Sequence, residues 1–183
     1  MGLDMYLMRR LYVGAIYEHR KIEGTISITQ NGQPLEVDLK SVEYIEERAG
    51  YWRKANAIHA WFVENVQDGR DECQRSYVSR VQLRKLLDTV NKVIDSCKLI
   101  PGEVLNGYTY GPEGKVVANV EAGQVIENSA VAALLLPAQE GFFFGNTEYN
   151  EWYLDDLLET KRILEEALQD KYEDWGFEYH ASW

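Results

Sequence analysis

The two ends of the chain share one pattern, and it limits the folds that are open to this sequence. Near the start, apolar residues alternate with polar ones, as Leu3, Met5 and Leu7 against Asp4 and Tyr6. This is the period of a strand with one buried face. Residues 177–183 alternate in the same way and finish on Trp183. We therefore predict that both terminal segments are strands, packed into the body and adjacent in one sheet.

The spacing of apolar residues and the presence of capping residues predict two helices. Ser79 and Gln82 form a capping box, and an apolar stripe continues from there until Pro101 forbids a helix. A later helix is expected to be capped by Thr147 or Asn150, with acids in its first turns, as the helix dipole prefers.

A third helix is predicted over the run Tyr51–Val63, ending near Gln67. At 100° per residue its buried stripe holds Trp52 and His59, with Asn56 at the edge. Polar groups on a buried face need partners, so Asn56 and His59 are either satisfied in the core or aimed into a ligand cavity.

Turn residues indicate two hairpins. Asn31-Gly32 suits a tight turn, and the Gly-rich, Tyr-rich and Val-rich stretch 102–128 is typical of an inserted hairpin arm. The whole chain, 1–183, is therefore predicted to be a single α+β domain. Its mixed or antiparallel sheet contains the N- and C-terminal strands, beside three main helices and the arm.

Composition excludes several classes of protein. The net charge is −11, which repels nucleic-acid backbone and anionic membranes, so we expect no DNA, RNA or membrane partner. The longest apolar stretch, Ala130–Leu136, is far shorter than the roughly 20 residues that span a bilayer. Cys73 and Cys97 do not have metal-site spacing. We expect no metal and no cofactor, and a cytoplasmic location.

Two short motifs could contact a ligand. Phe142, Phe143 and Phe144 lie between two glycines, and they pack in the core or stack on a planar ring such as a nucleobase. Arg53 and Lys54 lie off the apolar stripe of the predicted helix. They form a solvated face or, together with backbone amides, an anion site.

Catalytic signals are sparse. His59 could act as a general base, with Asp4 or another acid orienting it, or it could be a hydrogen-bonded core residue. No phosphate-binding loop, dinucleotide fingerprint, zinc helix or nucleophile elbow occurs. These absences favour ligand binding over turnover.

Four blocks together resemble a family of small phage and prophage proteins. They are the start Met1–Leu7, the run Tyr51–Val63, the stretch Leu135–Gly145 and the ending Ser182-Trp183. The resemblance brings no catalytic residues. It implies a viral context, in the cytoplasm of an infected bacterium, where small accessory proteins often counter host immunity by sequestering nucleotide signals. Kinship alone does not fix function.

The resulting hypothesis is a phage-type protein that sequesters a nucleotide-derived immune signal. The expected ligand-contacting residues are Trp52, Arg53, Lys54, Asn56, His59, Phe142, Phe143 and Phe144, with Asp4 and Tyr6 as further candidates. The first alternative is a metal-independent hydrolase of such a signal. The second is an interaction module whose arm pairs with a host partner or with a second copy of the chain, as a homo-oligomer would.

Overall fold

The structure is a computed structural model that describes residues 2–14, 16–20, 22, 24, 27–111, 115–141 and 147–183. The α-helices within these residues are α1 Asn56–Val66, α2 Arg80–Ser96, α3 Ala130–Leu135 and α4 Glu151–Ala167. The strands are β1 Asp4–Tyr12, β2 Ile28–Gln30, β3 Gln33–Leu35, β4 Tyr44–Arg53, β5 Ser76–Val78, β6 Leu99–Tyr110, β7 Val116–Ile126 and β8 Gly176–Ser182.

The main sheet joins the two ends of the chain. Its strand order is β4-β1-β8-β5, and all three neighbouring pairs are antiparallel. Asp4 lies opposite Ser182, and Arg10 lies opposite Gly176. The predicted α+β class and the pairing of the terminal strands are therefore confirmed.

One face of the sheet is packed against helices. Met5 and Leu7 from β1 and Tyr179 from β8 are fully buried, because alternate residues of each strand point to that side. Tyr179 stacks on Phe62 of α1 with ring centroids 3.9 Å apart. Leu157 of α4 belongs to the same buried cluster. The core thus lies between the sheet and the helices.

The predicted helix over Tyr51–Val63 is wrong at its beginning. Tyr51 and Trp52 continue strand β4, opposite Tyr6 and Met5. Aromatic side chains favour strands, and they fit the alternation of this one, with Trp52 buried and Tyr51 exposed. The chain leaves the strand at Lys54, whose φ is 64°. The helix begins only at Asn56, and its C-cap is Gln67, as expected.

The other helices begin close to their predicted positions. Ser79 caps α2, and the capping box with Gln82 is complete in both directions. Asn150, rather than Thr147, caps α4. Most of the apolar stretch Ala130–Leu136 forms the short helix α3. None of the helices in the described segments has the length and apolar composition that a bilayer crossing requires.

Both predicted hairpins form. Asn31 and Gly32 take positive φ angles in the turn between β2 and β3. The arm is longer than the range 102–128 at its first end, because β6 starts at Leu99 and pairs with β7 as far as Ile126. Tyr108, Val116 and Val120 on the arm are exposed.

The last residue is not packed into the body. Trp183 is 58% exposed, although its indole N–H donates to Asp71 at 3.1 Å. The C-terminal strand is therefore held by Phe177 and Tyr179 rather than by its terminal tryptophan.

Candidate functional site

Trp52 lies in the core. Its indole Nε1–H donates to the hydroxyl of Thr160, 2.9 Å away on α4, and both residues are buried. The hydrogen bond explains how a polar group is accommodated there. Trp52 is therefore not at a surface that an outside ligand reaches.

His59 is held by protein partners at both ring nitrogens. Nδ1 lies 2.7 Å from the hydroxyl of Tyr179, and Nε2 lies 3.0 Å from the carboxylate of Asp71. Burial raises the pKa of Tyr179, so its hydroxyl stays protonated at neutral pH. Asp71 escaped notice in the sequence because it enters the site through the loop after α1. The three side chains attach the C-terminal strand to that helix.

Asp4, Tyr6 and Arg53 point away from the helices. Tyr6 stacks on His180 with centroids 4.9 Å apart and an interplanar angle of 15°. Tyr51 donates a hydrogen bond to Asp4, and this bond raises the pKa of the tyrosine. Arg53 is opposite Asp4 in the strand register. We call these five residues the outer face of the sheet.

Phe142, Phe143 and Phe144 lie outside the described residues. Their predicted contact with a ligand therefore stays a prediction. The described chain resumes at Thr147, shortly before α4.

Two predicted residues, Lys54 and Asn56, line one cleft. The cleft lies between the beginning of α1 and the first turns of α4, and it encloses about 580 Å³ out to its open mouth. The residues around it include polar, aromatic and apolar side chains: Lys54, Asn56, Ala57, Ile58, Ala138, Gln139, Glu148, Asn150, Trp152, Tyr153, Asp156 and Leu157.

An unusual backbone conformation at Lys54 places the beginning of α1 beside the cleft. A φ of 64° is costly for a residue with a side chain, by about 1 to 2 kcal/mol. It persists because the Lys54 N–H donates to Leu3 of the adjacent strand at 2.8 Å. The turn lets Asn56 start a helix directly beside the cleft, where its side-chain amide donates to the carbonyl of Gln139 at 3.2 Å. Strain of this kind is often kept at functional sites.

Asn150, which lines the cleft, has an unused hydrogen-bond donor. The residue is only 2% exposed, and its Oδ1 accepts from the backbone N–H groups of Trp152 and Tyr153. Its Nδ2 is buried and has no acceptor within the part of the chain that the structure describes. A buried donor without a partner costs free energy, about 1 to 3 kcal/mol, unless something supplies the acceptor.

Asp156, in the second turn of α4, lines the same cleft as Asn150. Burial raises its pKa from 3.8 to about 7, and the neighbouring charge of Asp155 acts in the same direction. The hydroxyl of Thr160 donates to the main-chain carbonyl of Asp156, not to its carboxylate. Near neutral pH this carboxyl can therefore either accept or donate a hydrogen bond. Perturbed groups in clefts are candidates for function.

The sequence contained a signal for Asp156. It stands three residues after Tyr153 and four before Thr160, both of which are buried, so it shares their side of the helix. Acids are ordinary in the first turns of a helix, however, so the residue type alone does not distinguish Asp156 from its neighbours. The raised pKa separates it from the exposed Asp155.

An aromatic side chain completes the cleft. Trp152 is 42% exposed although it lines the same space as Asn150 and Asp156. Indole rings offer a flat surface for stacking. A planar molecule in the cleft could contact this ring with a face and the polar groups with an edge.

The charge of the cleft differs from that of an anion site. Lys54 is its one cation among the lining residues, and Glu148 and Asp156 are acids. Glu148 accepts from the backbone N–H of Leu105 at 3.0 Å. Arg53, expected to act with Lys54, lies on the outer face of the sheet. Groups of three or more acids, histidines or cysteines that could hold a metal do not occur among the described residues.

Comparisons with protein-family models, with curated proteins and with solved structures found no significant match.

Proposed function

We propose that this protein binds a small nucleoside-type ligand in the cleft and retains it without chemical change. The observation that carries the proposal is the buried Nδ2 of Asn150, a donor that lacks an acceptor among the described residues. A base carbonyl or ring nitrogen would supply one. Donor groups kept unsatisfied in a cleft are selective, because a ligand without the matching acceptor leaves them unpaired.

Asp156 and Trp152 add two further requirements. A carboxyl with a pKa of about 7 can pair with either a donor or an acceptor on the edge of a heterocycle. The exposed indole of Trp152 suits the face of the same ring. Few small molecules besides nucleobases and related heterocycles combine a flat ring with several polar edge groups.

The acidic residues of the cleft limit how much negative charge the ligand can carry. A polyphosphate would meet Glu148 and Asp156 as well as the single cation Lys54, and like charges disfavour it. A nucleoside, or a nucleotide whose phosphate projects toward Lys54, fits better. This narrows the expected nucleotide-derived ligand to one of low charge.

The biological role that follows is sequestration of a nucleotide-derived immune signal of a bacterial host. Its support is the resemblance to phage and prophage proteins together with the aromatic and polar residues that line the cleft. A binding protein of this kind needs no catalytic group.

Isothermal titration with adenosine, guanosine, cytidine and uridine tests the proposal. We expect at least one nucleoside to bind the wild type. Asp156→Ala should weaken that binding about tenfold or more, because it removes a hydrogen bond to an ionisable group worth about 1.5 to 3 kcal/mol. Arg53→Ala, on the outer face, is the control and should change nothing. The absence of binding by every nucleoside, or equal effects of both variants, would refute the proposal.

Hydrolysis of the ligand is the second candidate, and the pKa of Asp156 is the observation that favours it. A carboxyl that titrates near 7 is suited to general acid or base catalysis at neutral pH. Chromatography of the ligand after incubation separates the two candidates. Intact ligand supports sequestration, whereas cleavage that Asp156→Asn abolishes supports hydrolysis.

A further inference from the structure

A second depression adjoins the cleft. It lies between α1 and α3 and encloses about 640 Å³ out to its open mouth. Ala57 and Gln139 line both spaces, so the two are neighbours on one surface of the molecule. We call this second space the groove.

The groove differs from the cleft in chemistry. Its walls are mainly apolar, with Ala60, Trp61 and Leu136 among them. The polar side chain of Asn65 at its border is already paired, since its Nδ2 donates to the carbonyl of Trp61 and its Oδ1 accepts from Lys85, both at 2.9 Å. The groove therefore offers mainly apolar contact.

At the boundary between the two spaces, the first residues of α1 meet the chain at Gln139. Asn56 donates to the carbonyl of Gln139 at 3.2 Å, and this hydrogen bond is exposed. Ala57, the next residue, lines both spaces, and its side chain is a single methyl group. A ligand that extends from the cleft toward the groove would therefore meet a small side chain at this residue.

We propose that the ligand is amphipathic, with its nucleoside-type end in the cleft and an uncharged ring or short apolar group in the groove. This inference rests on the proposed nucleoside binding. The occupant of the groove follows from continuity with the cleft and from the lining of the two spaces. Glu64 at the border of the groove disfavours an anionic group there.

Two ring-bearing probes test the proposal: N6-benzyladenosine, which extends the base edge, and 5′-O-benzyladenosine, which extends the sugar. At least one should bind the wild type about tenfold more tightly than adenosine, because a buried ring gains apolar contact. Ala60→Leu fills the groove and should remove that gain while leaving adenosine binding unchanged. Ala133→Leu, at an exposed position of α3, is the matched control and should keep the gain.

The outcomes separate the two proposals. If adenosine binds but neither benzyl probe gains, or if the gain survives Ala60→Leu, the groove proposal is wrong and nucleoside binding stands. If no nucleoside binds, the nucleoside proposal fails, and the groove is tested with the uncharged dye Nile red. Dye fluorescence that Ala60→Leu suppresses and Ala133→Leu does not would support an apolar site. Equal fluorescence in all three proteins would overturn it.

Discussion

Replacing Asp156 by Asn should stabilise the protein, and more so at high pH. The unfolded carboxyl ionises near pH 3.8 and the folded one near 7, because burial disfavours its charged form. Below pH 3.8 both states are protonated, and the group costs nothing. As the pH rises from 4 to 7 the unfolded state loses its proton first, so stability falls, and above 7 the loss is complete.

The size of the effect follows from the shift. A change of about three pKa units corresponds to about 4 kcal/mol. Water in the open cleft screens part of this charge, so we expect roughly half. Asp156→Asn removes the charge and keeps the shape of the side chain. The free energy of unfolding should therefore increase by about 2 kcal/mol at pH 8 and by less than about 1 kcal/mol at pH 5.

Urea denaturation of the wild type and the variant at the two pH values measures this difference. Asp88→Asn is the control, since Asp88 is exposed on α2, and its effect should stay within about 0.5 kcal/mol at both values. A gain from Asp156→Asn that is the same at pH 5 and pH 8 would refute the argument, as would a loss at pH 8. Either result would mean that the carboxyl is not held in a poorly solvated site.

Three further changes in stability follow from the described contacts. Thr160→Val leaves the indole N–H of Trp52 without its acceptor in the core, and should lower the free energy of unfolding by about 1 to 3 kcal/mol in guanidinium denaturation. Trp52→Phe should then lower the free energy of unfolding less in the Thr160→Val variant than it does in the wild type. Lys54→Gly relieves the positive φ and should stabilise by about 0.5 to 1 kcal/mol, whereas unchanged stability would argue against strain there. Tyr179→Phe removes the hydroxyl that is hydrogen-bonded to His59 and should lower the free energy of unfolding by about 1 kcal/mol, and a neutral result would show that this bond is not stabilising.

Much of the fold could be predicted because burial of one face leaves a local pattern. The alternation of Leu3, Met5 and Leu7 revealed β1, and the capping box at Ser79 revealed the start of α2. The prediction that a helix begins at Tyr51 was wrong because a short run of aromatic residues fits a strand as well as a helix. The positive φ of Lys54, which separates the strand from the helix, is selected by the hydrogen bond to Leu3, a partner distant in sequence.

The candidate site could be predicted only in part. Asn56 was recognised because its polar group stands at the edge of an apolar stripe. Asn150 had an evident role as a helix cap, which concealed that its other side-chain atom is buried without an acceptor. The cleft itself is assembled from α1 and α4, and no single stretch of sequence shows that these two helix beginnings meet.

The central claim is that Asn150 supplies a hydrogen bond to a nucleoside-type ligand. Nuclear magnetic resonance of the ¹⁵N-labelled protein tests it directly through the side-chain amide signals. Addition of the nucleosides in turn should shift the Asn150 amide protons to lower field for the one that binds. The amide of Asn65, which already donates to Trp61, should not move. If every nucleoside leaves the Asn150 signals in place at saturating concentration, the account is contradicted.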